Sequence, residues 1–422
     1  MDAASAEFHG SRRKTGNGGN GRQLRIGETD MKRKAILGII CFSALVTAVI
    51  VCTAVLTAYV DPFFHYHSPR TDEFFYTLDN QRSQNDGIVK HFDYQGIITG
   101  TSMVENFKAT EADRLFGCSF IKVPLEGATF RETSELLRTA LTANPDTRIV
   151  IRGLDINRLG NDKDLMRTDL GDYPTYLYDS DPFNDVNYLF NRDVVFSRVF
   201  PMVRGAGDPE GRKGITTFDE YSNWMNAEGA VFGRKALYPD GVERKDPRHR
   251  EDLLDVDMDM VLENTRQNII ALAQEYPDVT FYCFFTPYSA KWWQQELESE
   301  RLEMEIEAER IVTREILECS NIRLYSFNSL TDITTDLNNY KDATHYGEWI
   351  NTLMLQYMCD GKCLLTADNW EAALEAERDF YSGYDYTLMN SQEDYDDDSL
   401  AEQLLYEKLY GAPDGQHPDN PA

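Results

Sequence analysis

The chain has 422 residues, of which 42% are hydrophobic and 27% charged, a globular composition long enough for one large domain or two ordinary ones. Its 71 acidic against 42 basic side chains give a formal net charge of −29, a surface that repels phosphodiester backbones and excludes nucleic-acid binding. The acid is unevenly spread: residues 1–34 carry a local charge of +4, so the other 388 residues sum to −33.

In chain order, the first thirty residues are rich in Gly, Ser and Asn, cannot bury a core, and are expected to be disordered. Residues 35–60 follow without a single charge. At roughly 1.5 Å of rise per residue this run spans a ~30 Å hydrocarbon layer. It exceeds the apolar core of a cleaved signal peptide and ends on Ala58-Tyr59-Val60 rather than a small-x-small site, so it reads as an uncleaved anchor. Lys32, Arg33 and Lys34 abut it on one side and Asp61 on the other, which places residues 1–34 in the cytoplasm and 61–422 outside a cell membrane crossed once. Phe63, Phe64 and Tyr66 read as an interfacial aromatic anchor. His65 and His67 alternate on an extended segment, a poor metal site without further ligands. With no CxxC or HExxH, no metal and no cofactor is expected. Cys359 and Cys363 bracket a short turn and leave a disulfide or two free thiols equally open.

Beyond the anchor, β-rich runs at 94–100, 120–124, 148–154, 279–285 and 322–327 predict strands, several of them apolar on both faces as in a buried parallel sheet. Helices are predicted over 129–143, along the face of Leu262, Ile269, Leu272 and Tyr276, as one long helix over 290–318, and over 347–358. This alternation predicts an α/β fold, doubly wound in three α/β/α layers of flavodoxin-like kind. Residues 156–255, rich in Asp, Gly, Pro and Tyr, interrupt it as an insertion over one end of the sheet. Residues 371–422 read as an acidic, solvated extension, leaving 61–370 as the folded outer domain.

The first strand runs into Gly100-Thr101-Ser102, which puts Ser102 at a carboxyl strand end where open α/β sheets bind ligands. The competing reading is a capping box from Ser102 to Glu105. Far downstream, Asp342 stands three residues before His345 on the loop after the last strand, spacing that lets the carboxylate orient the imidazole. There the alternatives are a helix cap at Asp342 and a surface histidine. His345 is the one histidine outside the anchor that both follows a core strand and neighbours a carboxylate at that spacing. A GxSxG elbow is absent, because Val104 stands where glycine is required.

The pairing of strand-one Gly-x-Ser with a late Asp-x-x-His resembles the SGNH/GDSL hydrolase superfamily. More narrowly, it is similar to the membrane-anchored extracytoplasmic branch associated with membrane-bound O-acyltransferases, the alginate-acetylation and teichoic-acid D-alanylation proteins. The resemblance implies Ser102 as nucleophile, His345 as general base and Asp342 as its orienting partner. It also implies an oxyanion hole from the N–H groups of Ser102 and Gly127, the latter within Pro124-Leu-Glu-Gly127. Thr101 departs from the usual Asp. The third block, usually Gly-x-Asn-Asp, reads Arg152-Gly153-Leu154-Asp155, and an ionised Asp155 cannot donate to an oxyanion. Asp155, Thr286 and Tyr288 are then candidate substrate contacts. The implied function is serine-dependent O-acyl transfer, or ester hydrolysis, on a cell-envelope polysaccharide or teichoic-acid-like polymer, with a membrane acyltransferase as partner. The alternative is an anchored, non-catalytic binding module for that polymer or partner.

Overall fold

The computed structural model describes residues 20–167, 173–208, 211–226, 230–238, 256–395 and 399–410. The chain divides into two compact units, Met1–Tyr59 and Val60–Ala422. Within the first, α1 (Asn20–Val60) contains the one described helix long and apolar enough to cross a membrane, Met31–Val60. The helix reaches back to Asn20 through residues expected to lack structure, a polar stretch rich in helix formers such as Leu24, Glu28 and Lys32. Residues 1–19 of the expected tail lie outside the described residues.

The second unit is a mixed α/β structure with mainly parallel strands. In chain order these are β1 (Phe75–Tyr76), β2 (Gly96–Thr99), β3 (Phe120–Lys122), β4 (Ile149–Leu154), β5 (Gly214–Ile215), β6 (Thr280–Phe285), β7 (Ile322–Ser326) and β8 (Leu364–Leu365). Six of them form a sheet in the order β3-β2-β4-β6-β7-β8, parallel except where β8 pairs antiparallel with β7. The five apolar runs of the sequence are its five parallel strands. In register, Ile98 of β2 lies between Lys122 of β3 and Ile151 of β4, and every residue of β2 is buried. The order reverses at β2, whose carboxyl end therefore opens a crevice beside Thr99 and Gly100. β1 and β5 make a separate two-stranded pair that no periodicity announces, because two residues carry no pattern.

Helices α2 (Gln81–His91), α3 (Ala109–Phe116) and α4 (Phe130–Ala143) connect the early strands. In α4 Thr129 forms a capping box with Glu132, the cap that fixes its start. The predicted 290–318 helix is two, α5 (Ala290–Glu298) and α6 (Leu302–Leu317), because Glu300 between them adopts φ 58° and the Arg301 N–H turns back to the Glu296 carbonyl. α7 (Glu348–Asp360) ends on Gly361 at φ 70°.

Two expectations are corrected. Residues 371–395 are no solvated extension: α8 (Trp370–Gly383) buries Leu374, Glu377 and Tyr381, and Tyr381 stacks on the buried Trp293 at 4.5 Å. Its net acidity hid an amphipathic face. Asp394 is described and accepts from the Lys235 backbone N–H, while 396–398 and 411–422 lie outside the described residues. Phe63 and Phe64 are core residues rather than interfacial anchors, Phe63 stacking on the buried Tyr188. All seven cysteines are free thiols.

Candidate active site

The chain leaves β2 through Gly100, which packs so closely on Val104 and the Gly153 backbone that an added Cβ would stand 2.8 Å from the valine methyl. This close approach lets the backbone turn at once into a single helical turn, Ser102–Val104, at the mouth of the crevice. Thr101, not Ser102, caps that turn: its hydroxyl accepts from the Met103 N–H and donates to Asp155 at 2.8 Å. The capping box expected as an alternative is absent, since the Glu105 side chain takes a hydrogen bond from Gln81. The Ser102 hydroxyl is thereby left for another partner.

That partner is His345. Ser102 Oγ lies 2.8 Å from His345 Nε2 across 243 residues of sequence. On the far side of the ring, Nδ1 lies 2.8 Å from Asp342 Oδ2 and 3.0 Å from Oδ1. A carboxylate only accepts, so Nδ1 carries the proton, and Nε2 is the acceptor for the serine O–H. Burial pushes the Asp342 carboxyl up, but the His345 ring and the backbone N–H groups of His345 and Thr344 outweigh it and hold the group below the usual carboxylate range. Asp342 caps its own loop and not the following helix, whose N-cap is Gly347.

The loop is clamped from both sides. Tyr340 and Tyr346 form a bridge, Tyr340 OH donates to the Pro287 carbonyl, and the Ser289 N–H and hydroxyl both donate to the Ala343 carbonyl. Tyr346 OH, from the loop itself, and Asn351 Nδ2, from α7, each donate to the Met103 carbonyl at 3.2 Å, tying the histidine segment to the serine turn.

Asp155, Thr286 and Tyr288, the candidate substrate contacts, are buried. Asp155 accepts from Thr101 and from Tyr288 OH at 2.9 Å, and burial raises its carboxyl above the ordinary value. With both oxygens occupied from inside, Asp155 supports the serine turn from beneath rather than meeting a ligand. Gly127 stands in the turn before α4 with φ 58°, its carbonyl held by Arg167 at 3.0 Å. The N–H groups of Ser102 and Gly127 have no hydrogen-bond partner among the described residues.

Sequence reasoning missed three neighbours. Trp224, from the 156–255 insertion, sets its ring edge-on to His345 at 6.2 Å, with the Lys341 ammonium 3.7 Å from its centroid. The insertion is tied down around it by Asp219 on Thr110 and by Asn223 on Glu348. Beneath the serine turn, burial lowers the Lys122 ammonium to about 7, and Lys122 Nζ donates to the Glu105 carbonyl. Burial likewise raises the Glu105 carboxyl to about 7, against the Gln81 hydrogen bond. Only the strand-apolar setting of Lys122 in FIKVP hinted at a buried cation. No group of metal-ligating side chains occurs among the described residues.

A hydroxyl, an imidazole and a carboxylate in this chain of contacts define a class of site able to deprotonate a serine for attack on a carbonyl. No protein-family model and no curated protein matches the chain. A solved structure of a "putative platelet activating factor" from Streptococcus pneumonia is similar to it at 11% identity with a TM-score of 0.37, covering 67% of this chain and 90% of the other.

Proposed function

We propose that this chain is a membrane-anchored, serine-dependent O-acyltransferase or esterase acting on a cell-envelope polysaccharide or teichoic-acid-like polymer. Residues 1–34 then face the cytoplasm, 35–60 span the membrane once, and the remainder, an SGNH-like three-layer α/β/α domain, works outside beside a membrane-bound O-acyltransferase. The observation that carries the chemistry is the 2.8 Å approach of Ser102 Oγ to His345 Nε2 with Asp342 on the opposite nitrogen.

In this reading His345 takes the Ser102 proton as Oγ attacks an ester carbonyl, and the Asp342 carboxylate stabilises the imidazolium. The Ser102 and Gly127 N–H groups receive the developing oxyanion. His345 then protonates the departing alcohol, leaving the acyl group on Ser102. An acceptor hydroxyl, deprotonated by the same ring, releases it. An envelope-facing anchor and the family resemblance favour transfer to a sugar or polyol hydroxyl over hydrolysis. The strong net negative charge disfavours an unscreened anionic polymer and favours a neutral one.

The test is a burst assay with p-nitrophenyl acetate followed by partition of the acyl group between water and glycerol. Acyl-enzyme formation that vanishes in Ser102→Ala, with glycerol acetate among the products, supports transfer. A folded protein that gives no burst supports an anchored binding module instead.

A further inference from the structure

Among the described residues outside α1, the exposed face of residues 183–203 is the largest run of solvent-facing aromatic and aliphatic side chains: Phe183, Val186, Phe190, Phe196, Phe200 and Val203 all stand at least a third exposed, Phe183 at 87%. Phe196 and Phe200 meet edge to face at 5.2 Å, and together with Pro201, Val203 and Arg204 they line an open groove of about 720 Å³. The opposite side of the same segment is buried through Tyr188, Val194, Val195 and Val199. The segment is therefore amphipathic, and its outer face is left uncovered among the described residues.

What it packs on decides where it lies. Phe63 stacks on Tyr188 at 5.5 Å, and its N–H donates to the Tyr188 hydroxyl. That hydroxyl donates to Asp61, whose carboxylate also accepts the N–H groups of His65, Tyr66 and His67. Asp185 in turn holds the His65 ring and the Tyr66 hydroxyl, and the Arg198 guanidinium covers the Phe63 ring at 5.0 Å. Only two residues, Asp61 and Pro62, separate Val60, the last residue of α1, from Phe63, a contour of at most roughly 10 Å. The segment is thus bonded to residues 61–67, which follow α1 directly in the chain.

Its charge points the same way. In a chain of net charge −29, residues 183–206 carry Arg192, Arg198 and Arg204 against Asp185 and Asp193; Asp185 is held by His65 and Tyr66, Arg198 pairs with Asp79 at 2.7 Å and Arg192 lies 3.6 Å from Asp193. Aromatic side chains beside arginines, on a segment bonded to the residues that follow an apolar helix, are the chemistry of a headgroup interface. We infer that residues 183–204 form an interfacial platform that lies on the anionic lipid surface around α1 and holds the outer domain against the membrane. This rests on the anchor reading above, and it supplies the interfacial aromatics that the sequence misassigned to Phe63 and Phe64.

The full-length chain in nanodiscs, carrying p-benzoylphenylalanine in turn at Val49, Phe200 and Leu297, tests it by photocrosslinking and mass spectrometry. Lipid adducts are expected at Val49 in α1 and at Phe200 but not at Leu297, an exposed apolar residue of α5. Replacing phosphatidylcholine by phosphatidylglycerol is expected to raise the Phe200 yield, by up to roughly fivefold for each engaged arginine, and Arg192→Ala with Arg204→Ala to remove that gain. Adducts at Val49 with Phe200 unreacted, or joined only to protein, would overturn the platform and leave the anchor standing. Absence of lipid at Val49 as well would overturn both.

Discussion

At the scale of single residues, the site turns on which hydroxyl is free. Thr101 takes the capping and the Asp155 contact, and Ser102 is thereby released toward His345. Asp342 fixes the tautomer that leaves Nε2 able to accept. Asp342→Asn keeps the shape but can present an N–H to Nδ1, so acyl-enzyme formation should fall by roughly 10²–10⁴ with little change in thermal midpoint. Single-turnover kinetics beside a melting curve checks both halves. Thr101→Val strands one Asp155 oxygen in a buried setting and is expected to cost about 1–3 kcal/mol in denaturant unfolding. The carboxylate, the imidazole and the hydroxyl were all readable from motif spacing. The role of Asp155 was not, because sequence gives its residue type but not which way its oxygens face.

Among elements, the parallel strands were legible because burial on both faces leaves uninterrupted apolar runs, as in TFYCFF of β6. The break between α5 and α6 was not, since Glu300 in a left-handed conformation has no signature in a charge-laced stretch. Glu300→Gly should therefore stabilise the fold or leave it unchanged, by up to about 1 kcal/mol. The docking of α8 on α6 was equally hidden, and it carries a pH signature. Glu309 of α6 and Glu377 of α8 are both buried; burial and the mutual proximity of the pair push Glu309 well above the carboxylate range, while burial raises Glu377 to about 8. The folded state thus holds protons that the unfolded chain releases above the ordinary glutamate range. Stability should fall as pH rises from about 4.5 through 8. Glu377→Gln, neutral throughout, should flatten this slope in urea titrations run from pH 5 to 9. An unchanged slope would assign the pH dependence elsewhere.

For the molecule as a whole, the proposed function rests on long-range convergence: a turn at residue 102 and a loop at 342–345 meet only because the sheet order brings β2 and the segment after β7 to one rim, with Trp224 beside them. No local pattern contains that meeting, and the insertion's low periodicity concealed Trp224. The long apolar helix was plain from length and composition; the aromatics that follow it were misread as exposed, because sequence cannot tell a buried Phe63 from an exposed Phe200. The most direct measurement of the central claim is the site of covalent labelling by a fluorophosphonate, mapped by peptide mass spectrometry on the full-length chain with and without urea. The adduct is expected on Ser102 of the native protein alone, and lost on unfolding and in His345→Ala. A native, fully folded protein that stays unlabelled, or is labelled on another serine, would contradict it.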